Sequence, residues 1–175
     1  MRGRTDLRTA VLETTWGDVS IRASARGVCG CHLPQVSVRA CGVPFRVVRA
    51  RGALRADSGL RRAVDFARRT LEGREPRACP ALDGATLSGG VPAFRRAVWR
   101  ALRALPRGRT ATYGELARRA GNPRAARAAG TACGANPLPL FVPCHRAVAA
   151  GGRLGGFSSG LAWKRLLLSG EGAGR

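Results

Sequence analysis

The residues best suited to chemistry are a thiol and an imidazole, Cys144 and His145, which end an apolar segment interrupted by prolines (136–143). A thiol that follows a buried apolar run normally has a raised pKa and is inert, because the thiolate is the nucleophile. A neighbouring imidazole or cation restores its reactivity. Adjacent residues of an extended segment point to opposite sides, so a bend or a bridging water must connect this pair. By spacing alone, such a pair is more often structural than catalytic.

One acidic residue is available to orient His145. Glu171 is one of only two acidic residues after position 83, the other being Glu115. A carboxylate that fixes the imidazole would be the third member of a relay in which the imidazole activates the thiol.

The overall charge favours a polyanionic partner. The chain carries 31 Lys and Arg residues against 10 Asp and Glu, and a net charge of +21 favours binding to nucleic acid. A biased genome explains the magnitude equally well, because Lys164 is the only lysine in a chain rich in Ala and Gly. The distribution of charge along the chain is more informative than the total, since residues 84–175 hold 15 basic residues and only two acidic ones. We therefore expect the second half to face DNA.

The cysteines and the apolar pattern predict a cytoplasmic protein that holds no metal and does not enter a membrane. Disulfides are not expected in a cytosolic chain. The run Cys29-Gly-Cys31-His32 is too short for a zinc ligand pair and no second pair follows it, so buried thiols are favoured. No apolar run approaches the length of a membrane span, and residues 1–10 lack the apolar stretch of a secretory signal. The six cysteines are Cys29, Cys31, Cys41, Cys79, Cys133 and Cys144.

The first half has the pattern of a mixed α/β region. Apolar alternation predicts a strand over 18–25, and residues 36–48 supply two further short strands broken at Gly42 and Pro44. A helix capped by Asp57 or Ser58 is predicted next.

That helix is predicted to end at Gly73, and a linker is predicted to follow it. Residues 74–90 contain Pro, Gly, Ser and Thr, which places the expected domain boundary near residue 85. The apolar face of the helix is formed by Leu60, Val64, Ala67 and Leu71.

The second half is predicted to be mainly helical. Pro92 should begin a helix that ends at Pro106 and Gly108. The tetrapeptide Thr112-Tyr113-Gly114-Glu115 has the spacing of a capping box and should open a short helix that runs to Gly121.

A second short helix is predicted directly after Gly121. Asn122-Pro123 has the pattern of an N-cap followed by proline at the first helical position, so the helix should cover 124–133. Two short helices joined at a glycine form a helix-turn-helix pattern, which is common in compact helical domains and is also used to bind DNA. Arg127 is the one long side chain in an Ala-rich stretch that can approach a helix, or a narrow groove, closely.

Several motifs within residues 92–172 occur together in one known family. They are Thr112-Tyr113-Gly114-Glu115-Leu116-Ala117, Gly121-Asn122-Pro123, Ala125-Ala126-Arg127-Ala128, Asn136-Pro137, Val142-Pro143-Cys144-His145-Arg146, and Gly160-Leu161-Ala162 with Lys164 and Glu171-Gly172. In this order and spacing the segment closely resembles the 6-O-alkylguanine-DNA alkyltransferases, also called methylated-DNA–protein-cysteine methyltransferases. Residues 1–85 match that family only in outline, around Gly17 and Gly27.

The resemblance implies a catalytic role for four residues. Cys144 would be the acceptor thiol, which attacks the alkyl carbon of 6-O-alkylguanine, with 4-O-alkylthymine as a second candidate lesion. His145 would draw off the thiol proton through a water, Glu171 would fix the imidazole, and Asn136 would brace the turn before the thiol. The product is a thioether, so the resemblance implies one turnover per chain and no metal or soluble cofactor.

The resemblance also implies a set of residues that bind DNA and the damaged base. The alkylated oxygen lies inside the base stack, so the nucleotide must be flipped out for a thiol to reach it. Tyr113 would help to rotate the nucleotide and would donate to the departing guanine, and Arg127 would enter the duplex at the vacated position. Ser158 would supply a backbone donor near the base oxygen. Asn122 and Arg95 complete the expected DNA-binding set.

The fold implied by the resemblance is α+β with two domains. Residues 1–85 would form a small, mixed α/β, ribonuclease-H-like domain. Residues 86–175 would form a mainly helical, winged-helix-like DNA-binding domain. The expected partner is double-stranded DNA that carries alkylated guanine, bound by a monomer with little sequence preference because backbone charge dominates affinity.

Four residues depart from the family pattern. Phe157 stands where the family usually has Tyr, Ser159 where it usually has Gly, and Arg165-Leu166 where Glu-Trp is common. We expect Phe157 to change the rate or the lesion preference without abolishing transfer.

Three other interpretations compete. Non-catalytic alkyltransferase-like proteins lack the acceptor cysteine, so Cys144 argues against that class. A relative with an N-terminal zinc module and a further helix-turn-helix would need more than residues 1–85. A Cys-His hydrolase would need an oxyanion hole and repeated turnovers.

Overall fold

A computed structural model describes residues 7–36, 43–52 and 59–173, and its first part is an antiparallel sheet. Its four strands lie in the order β3-β2-β1-β4. The strand predicted over 18–25 is confirmed as β2. Of the two strands predicted in 36–48, the described part of that range contains only the start of β4, and Gly42 lies outside the described residues. The strands are β1 (Arg8–Thr14), β2 (Val19–Ser24), β3 (Gly27–His32) and β4 (Val47–Gly52).

One long helix, α1 (Gly59–Leu71), covers the sheet, as its apolar spacing predicts. Alternate residues of β1 and β2 point toward it, among them Leu12 and Ile21, which are fully buried. Burying one such side chain contributes about 1.5–3 kcal/mol, so this face holds the sheet and the helix together. The predicted caps Asp57 and Ser58 lie outside the described residues. The buried helical face includes the four predicted residues Leu60, Val64, Ala67 and Leu71.

The segment predicted as a linker (74–90) is partly ordered, so that prediction is wrong for its second half. A short helix, α2 (Gly84–Ser88), begins after Asp83, whose carboxylate accepts a hydrogen bond from the backbone N–H of Ala85. Asp83 is buried, and the hydroxyl of Ser24 on β2 donates to it over 2.7 Å. These contacts attach the segment to the sheet. The domain boundary near residue 85 stays a prediction.

Three helices form the centre of the second half, α3 (Ala93–Arg103), α4 (Tyr113–Arg119) and α5 (Ala126–Gly134). The helix after Pro92 and the capping box of Thr112 and Glu115 are confirmed. The prediction that Asn122 caps the next helix is wrong. Residues 122–125 form a turn in which the Asn122 carbonyl accepts from the Ala125 N–H over 3.1 Å, and α5 begins one residue later.

Two short parallel strands and a last helix complete the second half. β5 (Ala111–Thr112) pairs with β6 (Ala147–Val148), which directly follows a 3₁₀ turn over Cys144–Arg146. The last helix is α6 (Leu161–Gly170). The described residues therefore have the predicted α+β composition, whereas the ribonuclease-H-like and winged-helix-like descriptions stay predictions. None of the helices in the described ranges is both long and apolar enough to span a membrane.

Candidate active site around Cys144

The apolar segment before Cys144 is buried and ends in a turn. Leu138, Phe141 and Val142 are at most 3% exposed, and the ring of Phe141 stacks on Phe66 of α1 with 5.3 Å between centroids. A 3₁₀ turn over Cys144–Arg146 then bends the backbone. It supplies the bend that an extended Cys-His pair requires.

The amide side chain of Asn136 closes this loop from inside. Its Nδ2 donates to the carbonyl of Val142 over 2.8 Å and to the Sγ of Cys144 over 3.2 Å. Its Oδ1 accepts from the backbone N–H of Leu138 over 3.0 Å. One side chain thus fixes both ends of the segment and supplies a donor to the thiol sulfur.

The imidazole of His145 is oriented by a buried carboxylate. His145 Nε2 lies 2.9 Å from Glu171 Oε1, and both side chains are 1% exposed. Arg146 donates to both carboxylate oxygens, over 2.8 Å and 2.9 Å, and the backbone N–H of Gly108 donates to Oε2 over 3.2 Å. Glu171, the C-cap residue directly after α6, therefore joins the loop after α3 to the turn that carries the thiol.

The tautomer of His145 follows from these contacts. Burial raises the pKa of Glu171, but the hydrogen bonds from His145 and Arg146 outweigh burial and lower that pKa to about 2. The carboxylate is therefore an acceptor only, and the proton must lie on His145 Nε2. Burial lowers the pKa of His145, so the ring is neutral near pH 7. Its Nδ1 is buried without a partner among the described residues, and it carries a free lone pair.

Cys144 lines a pocket of about 280 Å³ together with Tyr113 of α4 and residues 156–158. The hydroxyl of Tyr113 donates to the Gly156 carbonyl over 3.5 Å. Gly155 has a φ of +65°, and a Cβ there would lie 2.9 Å from the Tyr113 oxygen, so the close approach of this loop to the ring requires glycine. The pocket is a recess with a thiol in its wall. Larger grooves elsewhere on the described surface do not contain Cys144.

Two thiols share this pocket, but their surroundings differ. Burial raises the pKa of Cys133 to about 12. Burial also raises the pKa of Cys144, but the Asn136 donor, its own and His145's backbone N–H groups, and the positive charge of Lys164 oppose that effect. The thiol of Cys144 is therefore protonated at neutral pH, and its side-chain donor Asn136 and two backbone donors offset part of the effect of burial.

Lys164 is a site residue for which the sequence predicted no role. It is fully buried, and its Nζ donates to the carbonyls of Ala147 (2.5 Å), Gly156 (3.1 Å) and Leu154. Burial lowers the pKa of Lys164. The sequence feature that could have indicated its role is that Lys164 is the only lysine among 31 basic residues. Arg146 belongs to the motif around Cys144, and the sequence predicted no role for it because its bonds to Glu171 appear only in three dimensions.

The structure divides the predicted DNA-binding residues into two groups. Tyr113 and Ser158 line the pocket with Cys144. Arg127 on α5 and Asn122 in the turn before it are exposed, and Arg95 on α3 is half-buried; none of these three lines the pocket. Within the described ranges, no group of three or more His, Cys, Asp or Glu side chains could hold a metal ion.

Comparisons with known proteins place the site in a family. The family described as 6-O-methylguanine DNA methyltransferase, DNA binding domain, matches residues 93–173. A methylated-DNA–protein-cysteine methyltransferase of Methanosarcina acetivorans is 50% identical over 80 residues, which are 46% of this chain and 51% of that protein. The protein of the same name from Salmonella typhimurium is 51% identical over 87 residues, half of each chain. The chain thus spans about half the length of the curated relatives it matches.

A solved structure covers both halves of the chain. The structure of Mycobacterium tuberculosis OGT in complex with DNA is similar with a TM-score of 0.70 and 30% sequence identity, over 93% of this chain and 91% of that one. The likeness therefore includes the sheet and α1 as well as the segment that carries Cys144. The chain belongs to the methylated-DNA–protein-cysteine methyltransferase family.

Proposed function

We propose that this protein repairs alkylated DNA by moving the alkyl group of 6-O-alkylguanine irreversibly onto Cys144. The observation that carries the proposal is the free lone pair on His145 Nδ1, one residue from a thiol in the wall of a pocket. A buried imidazole that is neutral, fixed by a carboxylate and unpartnered on its other nitrogen is prepared to accept a proton.

The proposed chemistry begins with the proton of Cys144. His145 Nδ1 has no partner among the described residues, so a bridging water would carry the proton from Sγ to Nδ1. The imidazolium that forms is stabilised by Glu171. The thiolate then attacks the alkyl carbon in line with the carbon–oxygen bond. The carbon–sulfur bond forms as the carbon–oxygen bond breaks, and the electron pair leaves on guanine.

Departure of guanine needs a proton donor or a hydrogen-bond donor. Guanine is a poor leaving group as an anion, so a donor at its edge should accelerate transfer. In this proposal the donor is the hydroxyl of Tyr113, which lies in the pocket wall and remains protonated because burial raises its pKa. The thioether product cannot be hydrolysed by these groups, so each chain acts once.

The recessed thiol requires an extruded base. A nucleotide must leave the stack to enter the pocket, at a cost of a few kcal/mol. Arg127 is exposed on α5, a helix otherwise surfaced by small residues, and would occupy the vacated position from the minor groove. Asn122 and Arg95, together with the backbone N–H of Ser158, would hold the DNA and the base.

In the same proposal the protein is a cytoplasmic monomer with two domains. Residues 1–85 would form the ribonuclease-H-like domain and residues 86–175 the winged-helix-like domain that binds duplex DNA. Support comes from the sheet with α1 in the first part and from helices α3–α5 with the β5–β6 pair in the second. Binding of duplex DNA by residues 86–175 expressed alone would test the boundary, and light scattering of the full chain would test the monomer.

Transfer of a radiolabelled methyl group tests the proposal. The protein is mixed with duplex DNA that carries labelled 6-O-methylguanine, and label on the intact chain is counted. We expect one label per chain, loss of labelling in Cys144→Ala, and retention in Cys133→Ala, which removes the other thiol of the same pocket. Labelling that persists in Cys144→Ala would refute the assignment. Catalytic turnover of an ester substrate without protein labelling would favour the Cys-His hydrolase.

Phe157 offers a test of lesion preference. Its side chain lines the pocket without the hydroxyl that the family usually has there. We expect Phe157→Tyr to change the rate or the ratio of rates on 6-O-methylguanine and 4-O-methylthymine. If Phe157→Tyr and the wild type had the same rate on each lesion, Phe157 would not influence the rate or the lesion preference.

A further inference from the structure

The end of β3 and the residues after it contact both loops that border the Cys144 pocket. The backbone N–H of Cys31 donates to the Pro137 carbonyl over 3.1 Å, at the start of the loop that Asn136 closes. Four residues later, Gln35 Nε2 donates to the carbonyl of Ser158 over 2.5 Å, across 123 positions of sequence. We call residues 31–35 the strap. The strap is therefore placed to influence the pocket from outside the segment that carries the motifs.

The strap is anchored at its middle. The indole Nε1 of Trp163 on α6 donates to the Pro34 carbonyl over 2.8 Å, and Trp163 is fully buried. Leu33 is also buried in the core. Gln35 thus extends from a fixed backbone, and its exposed side chain is held by its hydrogen bond to Ser158.

The loop that Gln35 contacts has few restraints of its own. It contains three glycines between residues 155 and 160, two of them with positive φ. The Gly156 carbonyl is held by Lys164 and Tyr113, and the Phe157 carbonyl accepts from Gly160. For the carbonyl of Ser158, Gln35 is the donor, and no second one is found among the described residues.

We propose that Gln35 is a positioning residue for alkyl transfer, which fixes the Ser158 peptide and with it one wall of the nucleobase pocket. The inference rests on the proposed function. Ser158 lines the pocket together with Tyr113 and Cys144, so its position affects where a base lies relative to the thiol. Small displacements of a substrate-positioning wall reduce the rate of reaction far more than they reduce stability.

The expected effect is moderate and specific to the transfer step. A single neutral hydrogen bond at an exposed site has a modest net effect, so we expect a decrease of about three- to tenfold in the transfer rate. Gln35→Glu also adds a negative charge, which weakens DNA binding, so transfer rates are compared on fully bound DNA. Measurement at saturating protein separates the rate on bound DNA from the dissociation constant.

Single-turnover kinetics of the full chain test this role with four proteins. Gln35→Glu keeps the shape but replaces the amide donor by a carboxylate, whereas Gln35→Lys restores a donor. His32→Ala is the matched control, because His32 lies in the same strap and is exposed. Transfer of methyl from 6-O-methylguanine duplex is measured at saturating protein, and DNA binding is measured separately by titration. Hydrogen exchange of residues 156–160 reports the loop without DNA.

We expect slow transfer and faster loop exchange in Gln35→Glu on fully bound DNA. We expect near-normal values for both in Gln35→Lys and His32→Ala. Transfer at the wild-type rate in Gln35→Glu, or equal loss in Gln35→Glu and Gln35→Lys, would overturn the positioning role. The loop measurement needs no alkyl transfer. If the wild type transferred nothing while Gln35→Glu still loosened the loop, the proposed function would fail and the Gln35–Ser158 contact would stand.

Discussion

Two carboxylates in this protein each contact two nitrogen-bearing side chains over similar distances, but in different surroundings. Glu171 contacts His145 and Arg146 over 2.8–2.9 Å, and Glu13 on β1 contacts Arg49 and Arg51 over 2.7 Å. The Glu171 side chain is 1% exposed and its arginine 14% exposed, whereas the two arginines of Glu13 are 71% and 58% exposed. Distances alone would rank the pairs as equals. The difference in solvent access decides what each one does.

The buried group is costly to disturb because each member depends on the others. Removing one partner from a buried ion pair leaves an uncompensated charge, whereas surface pairs are screened by water and salt. The Glu171 group also links the loop at Gly108 to the turn at Cys144, so it joins stability to the candidate chemistry. The Glu13 group only connects neighbouring strands at the surface.

Glu171→Gln should have the largest effect, because it disturbs the buried contacts and not the exposed ones. The amide has the same shape but no charge to stabilise an imidazolium, and its NH₂ group can reverse the His145 tautomer. We expect transfer to slow by about a hundredfold or more, and the free energy of unfolding to fall by about 3 kcal/mol. Labelled transfer and urea unfolding measure the two quantities. Wild-type behaviour in both would contradict the role given to burial.

Acid should reveal the same group without a mutation. Glu171 has a pKa of about 2 in the folded protein and 4.5 as its ordinary value, so between these pH values the unfolded chain binds more protons. Stability is therefore lost as pH falls from 4.5 toward 2, by about 3 kcal/mol in total. His145, whose pKa is lowered by burial, acts in the same direction as pH falls below 6.5.

Urea unfolding at several pH values distinguishes the contribution of Glu171 from general acid effects. The loss between pH 4.5 and the acid limit should be smaller in Glu171→Gln than in the wild type. It should be largely retained in Glu13→Gln, where water already screens the charges. An identical acid profile in wild type and Glu171→Gln would show that other carboxylates cause the loss.

A neutral contact in the same buried region should have an intermediate effect. Asn136→Ala removes the donor to Cys144 Sγ and leaves the Val142 carbonyl without its partner. We expect transfer to slow by about tenfold and the pKa of the Cys144 thiol to rise, since the donor stabilises the thiolate. The pH dependence of iodoacetamide labelling at Cys144 measures that pKa. Asn122→Ala, an exposed asparagine, should leave it unchanged.

The fold could be predicted where the decisive interactions were local. The apolar spacing of α1 and the capping box at Thr112 act within one or two turns, and both predictions were confirmed. β3 was not predicted, since it holds two glycines and is defined by its pairing with β2. The start of α5 was misplaced because its cap, Ala125, has no side-chain hydrogen bond and hence no sequence signal.

The candidate site could be predicted only in part, for a related reason. Cys144, His145, Glu171 and Asn136 were nominated from a motif, and the structure brings all four together. Their roles stay proposals. Lys164 and Gln35 were not nominated for the site, because both donate to backbone carbonyls of a loop. Carbonyls are present at every residue, so no pattern of residue types reveals which of them are bound.

The smallest effect is expected for Glu13→Gln, which changes the exposed carboxylate. Glu13→Gln removes the charge that Arg49 and Arg51 contact, and those hydrogen bonds and charges lower the pKa of Glu13. Both arginines remain hydrated when the charge is lost, and Asp18 still contacts Arg51 over 2.9 Å. We expect the midpoint of thermal unfolding to stay within about 3 °C and transfer to be unaffected. Calorimetry at low and high salt checks this. A salt-independent decrease comparable to that of Glu171→Gln would show that geometry, and not solvent access, determines the strength of these contacts.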